Sequence, residues 1–320
     1  MTERYPRAVV AGGAGFLGSH LCERLLDRGI SVVCLDNLLT GSTRTIARLL
    51  PREDFVFLRR DLTRPLAVEG PLGYVFHLAS AASPADYLRW PVQTLEVGSQ
   101  GTRVALDLAE REDARFVLAS TSEVYGDPLE HPQRESYWGN VNPVGPRSVY
   151  DEAKRFAEAL TSAFRHSRGL DAGIVRIFNS YGPRMRPDDG RAIPTFLRQA
   201  LRGEPLTVTG DGSQTRSICF VDDTVRGILE FALSGHPGPM NIGSPYETSM
   251  LDLARLVIEL TGSRSTIRFV ERPVDDPGVR RPDTTLARES LGWEPEVTVE
   301  TGLRSTIEWF ERELALERPA

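Results

Sequence analysis

The sequence predicts an α/β fold, a parallel sheet wound on both faces by helices and followed by a smaller C-terminal lobe. Three observations point there. Short apolar runs alternate with helical patterns through the first half, the signature of repeated strand–helix units. A glycine triplet, Gly12, Gly15 and Gly18, separates the first run from the first helical pattern. The second half is less regular and richer in proline and glycine, which fits an added lobe better than further repeats.

Taken in order, "RAVVA" (7–11) reads as a strand and 16–28 as a helix. "SVVCLD" (31–36), "FVFLR" (55–59), "YVFHLA" (74–79) and "ARFVLAS" (114–120) follow as strands. Each is short and nearly all apolar, as strands covered on both faces are. A helix near 99–111 separates the last two, and a long helix over 148–168 precedes the strand "AGIVRIF" (172–178). Beyond it the patterns predict helices near 192–202, 223–234, 249–261 and 300–314, with strands near 205–208, 239–242 and 266–270. The first domain is expected over 1–180, with 213–245 returning to it; 181–212 and 246–320 form the second lobe.

Composition narrows the function. At 320 residues, 40% hydrophobic and 26% charged, the chain can bury a full core. A net charge of -6 and the lack of an aromatic-rich basic patch argue against nucleic acid as partner. No run of ~18 apolar residues occurs, so no membrane span is expected. A strand begins almost at once with no apolar leader before it, which reads as cytoplasmic. Cys22, Cys34 and Cys219 are odd in number and lack CxxC spacing, as free thiols in a reducing compartment would. The five histidines are too dispersed for a local metal motif, and no metal is expected.

In "AVVAGGAGFLGSH" the glycines lie between a strand and a helix, where backbone approaches a pyrophosphate closely and a helix N-terminus attracts negative charge. A plain structural turn is the alternative. Asp36 ends the second strand, where a carboxylate holds adenosine ribose hydroxyls and repels a 2′-phosphate. Together they point to NAD on a Rossmann-type doubly wound sheet. Candidate cofactor contacts are Gly12, Gly15, Phe16, Leu17, Gly18, Asp36, Asn37, Asp61, Leu62, Leu78 and Ala79.

Of the 38 basic residues, all are arginine except Lys154. It stands four after Tyr150, so the two share a helix face. An ammonium is a compact point charge where a guanidinium is a wide fork. Beside Tyr150, together with an oxidised nicotinamide, it is expected to lower the phenol's value and make it a base. Ala153, Phe156, Ala157, Leu160 and Phe164 form a separate apolar stripe, core or subunit interface. The strand in "ASTSEVYG" ends in Thr121, Ser122 and Glu123, at the sheet edge where ligands sit.

These motifs in this order resemble an extended short-chain dehydrogenase/reductase acting on a nucleotide sugar. The sequence is similar above all to the UDP-glucuronate decarboxylases, also called UDP-xylose synthases. The matching segments include "GGAGFLGSHL", "LASTSEVYGDP", "YWGNVNPVGPRSVYDEAKR", "RIFNSYGPRM", "GDGSQTRS" and "DDPGVRRPD". The resemblance implies tightly held NAD, Tyr150 as base at the sugar 4-hydroxyl, and CO₂ loss from a 4-ketone beta to the C6 carboxylate. It implies that Thr121 and Ser122 bond the 4-oxygen and that Glu123 and Arg216 flank the glucuronate ring. Asn179, Arg191 and Arg280 would hold the UDP moiety, with Asp275 or Tyr181 as further candidates. A homodimer through the helices near 99–111 and 150–167 is also implied. The chain departs from the family at Gly98, where relatives carry asparagine, and at Thr209, where they carry tyrosine. The alternatives are a UDP-glucuronate 4-epimerase and release of the UDP-4-keto-pentose; Ser122 in place of an acid argues against a 4,6-dehydratase.

Overall fold

A computed structural model of the chain describes residues 6–272 and 278–316. The apolar runs pair with one another because neither face of any of them tolerates water. They become β1 (Arg7–Ala11), β2 (Ser31–Asp36), β3 (Phe55–Arg59), β4 (Tyr74–His77), β5 (Arg115–Thr121), β6 (Ala172–Ile177) and β7 (Met240–Ile242). All seven lie parallel in the order β7-β6-β5-β4-β1-β2-β3. The order reverses between β1 and β4, and beyond the carboxyl ends at such a switch point an open α/β sheet binds its ligand.

The helices are α1 (Phe16–Asp27), α2 (Pro84–Arg89), α3 (Pro91–Glu96), α4 (Thr102–Arg111), α5 (Ser148–Arg168), α6 (Ala192–Arg202), α7 (Val221–Ser234), α8 (Met250–Thr261), α9 (Thr285–Leu291) and α10 (Val299–Leu316). The helix expected near 99–111 begins later, because Val97–Gly101 forms a π-helical turn that leads into α4. Two short helices, α2 and α3, are additions to the expected set; each starts on a proline at its first turn, where the missing N–H costs nothing. The apolar stripe expected on α5 is only partly buried: Ala153, Ala157 and Phe164 face inward, while Phe156 is exposed.

In the second half, α6 packs on α8 and α10 around a parallel pair, Leu206–Thr209 with Ile267–Val270. Thr215–Ser217 pairs antiparallel with Glu247–Ser249. Asp223 clasps this half to α7. Its Oδ2 accepts from the backbone of Glu296 (3.0 Å) and Val297 (2.9 Å), and its carbonyl accepts from the buried indole of Trp293. Replacing Asp223 by Ala removes the acceptor of two part-buried N–H groups and one of the partners of Arg226. The expected loss is about 1–2 kcal/mol of unfolding free energy, measured by urea denaturation.

Candidate active site

One cavity of about 680 Å³ runs along the carboxyl ends of the strands. Every site residue expected from the sequence, from Gly12 through Arg280, lines it. Asp275 lies outside the described residues.

At one end β1 turns into α1. Gly12 has φ +82°, and a Cβ there would stand 2.6 Å from the Ala79 nitrogen. A Cβ on Gly18 would stand 2.0 Å from the Gly12 carbonyl oxygen. Only glycine lets the loop lie this close to β4's end while the first N–H groups of α1 stay open to the cavity. Gly15 caps α1 with no side chain, and no acid sits in the first turn. Asp36 accepts from the Ala14 N–H (3.0 Å) and the Leu38 N–H (2.8 Å), which fixes its carboxylate on the wall. Asn37 donates to Asp61 at 3.1 Å across the same end.

At the middle stand Tyr150 and Lys154. Lys154 Nζ donates to the Ala119 carbonyl at 2.8 Å and lies 5.9 Å from the Tyr150 ring centroid. Burial pushes its ammonium down to about 8, and Glu158 one turn later pushes back. The expected acidification of Tyr150 does not hold for the protein's own groups. Burial and the Glu123 carboxylate push the phenol above its ordinary value, and the Thr121 hydroxyl and Arg191 only partly oppose them. In a buried site the neutral form of a phenol is favoured, and Lys154 is not among the groups that reverse this. Tyr87 stacks on Tyr150, with centroids 5.5 Å apart and planes within 9°.

At the far end Glu123 leaves β5 in a short 3₁₀ turn and is held by two arginines, Arg147 and Arg280. Burial alone would raise its carboxyl; the two guanidiniums outweigh that and hold it at about 2. Arg280 is 2% exposed and also donates to the Gly126 carbonyl at 2.9 Å. The arginines on Glu123 are Arg147 and Arg280, while Arg216, expected with Glu123 around the sugar ring, lines the same cavity and donates to the Thr215 carbonyl at 2.8 Å. Arg191 pairs with Asp189. Arg147 went unread in the sequence, though it precedes Tyr150 by three residues and so shares its helix face. Asp151 also went unread. Burial, and then Glu123, push its carboxyl up to about 7, and its Oδ1 has no hydrogen-bond partner.

Residues 8–243 match the model of the NAD dependent epimerase/dehydratase family. The chain belongs to that family. It is 49% identical to UDP-glucuronic acid decarboxylase 2 of Arabidopsis thaliana, over 95% of this chain and 68% of the relative. It is 45% identical to UDP-glucuronic acid decarboxylase 1 of Danio rerio, over 98% of this chain and 77% of the relative. The resemblance drawn from the motifs is thereby borne out. Among solved structures, UDP-glucose 4-epimerase of Thermotoga maritima with UDP-glucose superposes with TM-score 0.86 at 30% identity, covering 96% of this chain and 99% of that one. DesIV, a dTDP-glucose 4,6-dehydratase of Streptomyces venezuelae with NAD and TYD bound, gives 0.88 at 28%, covering 97% and 98%.

NAD is the cofactor of this epimerase/dehydratase family member, and the residues fit it: a glycine cradle that any Cβ would fill, an open helix N-terminus and a fixed Asp36. The family departure at Gly98 has a steric reason. Gly98 sits in the π-helical turn, where a Cβ would stand 2.6 Å from Ala153 Cβ on α5. Its carbonyl accepts from the Thr102 hydroxyl, which also meets the buried His77. Gly98→Asn is therefore expected to push α5 outward and cost roughly 1–3 kcal/mol, read as a lower melting temperature.

Asp151 supplies a pH test. Its folded-state value lies above its unfolded one, so the penalty for charging it is absent below about pH 4 and complete above about 7. Asp151→Asn should stabilise the protein by roughly 1–3 kcal/mol at pH 8 and by almost nothing at pH 4.

Proposed function

We propose that the protein converts UDP-glucuronate to UDP-xylose by oxidation at C4, loss of CO₂ and re-reduction. The observation that carries this reading is the charge at the far end of the cavity. Two guanidiniums there face the Glu123 carboxylate and the Asp151 carboxyl, and burial and Glu123 push Asp151 toward its neutral form, which leaves the cluster able to take a further anion beside Tyr150. A C6 carboxylate placed there supplies that anion, and a neutral hexose does not.

Tyr150 takes the proton from the 4-hydroxyl, and Thr121 and Ser122 bond the same oxygen as it becomes a carbonyl. NAD, when bound, takes up the C4 hydride and gives it back, so no second redox substrate is needed. The ketone is beta to the carboxylate, and the electrons of the breaking C5–C6 bond flow into it as CO₂ leaves. Tyr150, now holding the proton, and Thr121 stabilise the enolate oxygen. C5 then takes a proton from solvent water, and Tyr150 returns its own proton to the 4-oxygen as the ketone is reduced. Glu123, held at about 2, is ionised at neutral pH; it orients the arginines and does not serve as the acid. Lys154 fixes the ribose side of the cofactor. Arg191, whose charge reaches the Tyr150 phenol, and Arg216 and Asn179 line the same cavity and suit the UDP moiety. In this reading 1–180, with 213–245, carries NAD, and 181–212 with 246–320 carries the nucleotide sugar.

Two copies are proposed to pair through the helices expected from the sequence, α4 and α5, where Phe156 of α5 and, on the neighbouring α3, Val92 and Leu95 stand exposed. Among the described residues no helix is long and apolar enough to cross a membrane. Its three free, buried thiols suit the cytoplasm, the proposed location.

The test is incubation with UDP-glucuronate and NAD, with NMR of the sugar and a CO₂ assay. A UDP-pentose with one CO₂ supports the proposal. UDP-galacturonate without CO₂ makes the protein a 4-epimerase, and a 4-keto pentose with NADH removes the final reduction. Tyr150→Phe should keep NAD yet lower turnover roughly 10²–10⁴-fold. Arg280→Met should lower kcat/KM for UDP-glucuronate at least ~30-fold.

A further inference from the structure

Residues of the stretch 182–191 line the cavity without helix or strand, and His20, Glu23 and Asp86 hold the stretch in place. Arg184, in the left-handed region at φ 70°, pairs with Glu23 on α1. Two residues on, Arg186 Nη2 donates to Asp86 Oδ2 on α2 at 2.6 Å. Asp86 is a prepared receptor. Its backbone N–H donates to the Ser83 hydroxyl (3.2 Å) and that hydroxyl donates back to Asp86 Oδ2 (2.8 Å), a capping box that fixes the carboxylate before Arg186 arrives. Arg184, Arg186 and Asp86 all line the same cavity as the glycine loop and Tyr150. The two ion pairs tie this stretch to α1 and α2, both of which line the cavity beside the glycine loop.

We propose that Arg186 and Asp86 form a latch that sets how slowly NAD leaves, with Arg184–Glu23 as the hinge-side anchor. Neither latch residue acts in the chemical step; they are positioning residues that hold this stretch over the cofactor. A catalytic cycle that returns its hydride has no use for cofactor exchange, so retention costs it nothing. The latch is half open to solvent, with Arg186 31% exposed, so its strength depends on salt. The inference rests on the family's cofactor and not on the sugar reading, since its test measures NAD release and no sugar product.

The experiment loads the intact protein with NAD, dilutes it into alcohol dehydrogenase and ethanol, and follows NADH fluorescence as released cofactor is trapped. Asp86→Asn and Arg186→Met should each speed release roughly five-fold at low salt, and the double variant no more than either alone. Wild-type release should accelerate with added salt more steeply than that of either variant. Circular dichroism checks that each variant is folded. Release unchanged in Asp86→Asn, with Arg186→Met fast, would mean that Arg186 grips the cofactor directly and would overturn the latch. Additive effects, or equal salt dependence in all forms, would overturn it as well.

Discussion

Glu123 held between Arg147 and Arg280 is the interaction on which the rest of the structure depends. The carboxylate leaves the end of β5, one guanidinium comes from the approach to α5, and the other comes from the C-terminal half. Three distant stretches of chain therefore meet at one buried charge. Glu123 and Arg147 keep 15% and 18% of their side-chain surface open, so removing one partner costs about 1–3 kcal/mol rather than the full penalty of a sealed charge. The same triad decides chemistry. It carries two positive charges and one negative, with the Asp151 carboxyl beside it pushed toward neutrality, and the proposed reaction adds the sugar carboxylate to it.

Burial acts on every ionisable group nearby, and the signs differ in a useful way. Glu123 is pushed toward its charged form by its arginines, Tyr150 toward its neutral form by desolvation, and Lys154 down to about 8. The protein by itself stores a phenol, not a phenolate. In the proposed reaction Tyr150 would therefore need the positive charge of an oxidised nicotinamide beside it to act as a base. Lysine at 154 suits its hydrogen bond to the Ala119 carbonyl, which a compact ammonium on the cavity wall makes at 2.8 Å.

Much of this was legible in the sequence, and the reasons are local. The seven sheet strands announced themselves because a strand buried on both faces must be apolar throughout. The glycine triplet and Asp36 were readable because a close backbone approach admits one residue type. The Tyr150–Lys154 face follows from helix periodicity. What was not legible depends on contacts far apart in sequence. Arg280 and Arg216 look alike in a string of letters, and only folding brings Arg280 onto Glu123. The π-helical turn at Val97–Gly101 carries no periodic signal, so the helix there seemed to start early; its cause is the close packing of Gly98 on Ala153. Tyr150's raised value could not be read either, since desolvation is a property of the closed cavity and not of its neighbours in the chain.

The central claim is that the triad's surplus charge selects an acid sugar. Calorimetry of the NAD-loaded Tyr150→Phe protein with UDP-glucuronate and with UDP-glucose measures it directly. The account predicts at least ~10-fold tighter binding of the acid, lost when Arg147 or Arg280 becomes methionine. Equal affinity for the two sugars, or a preference that survives both substitutions, would contradict it.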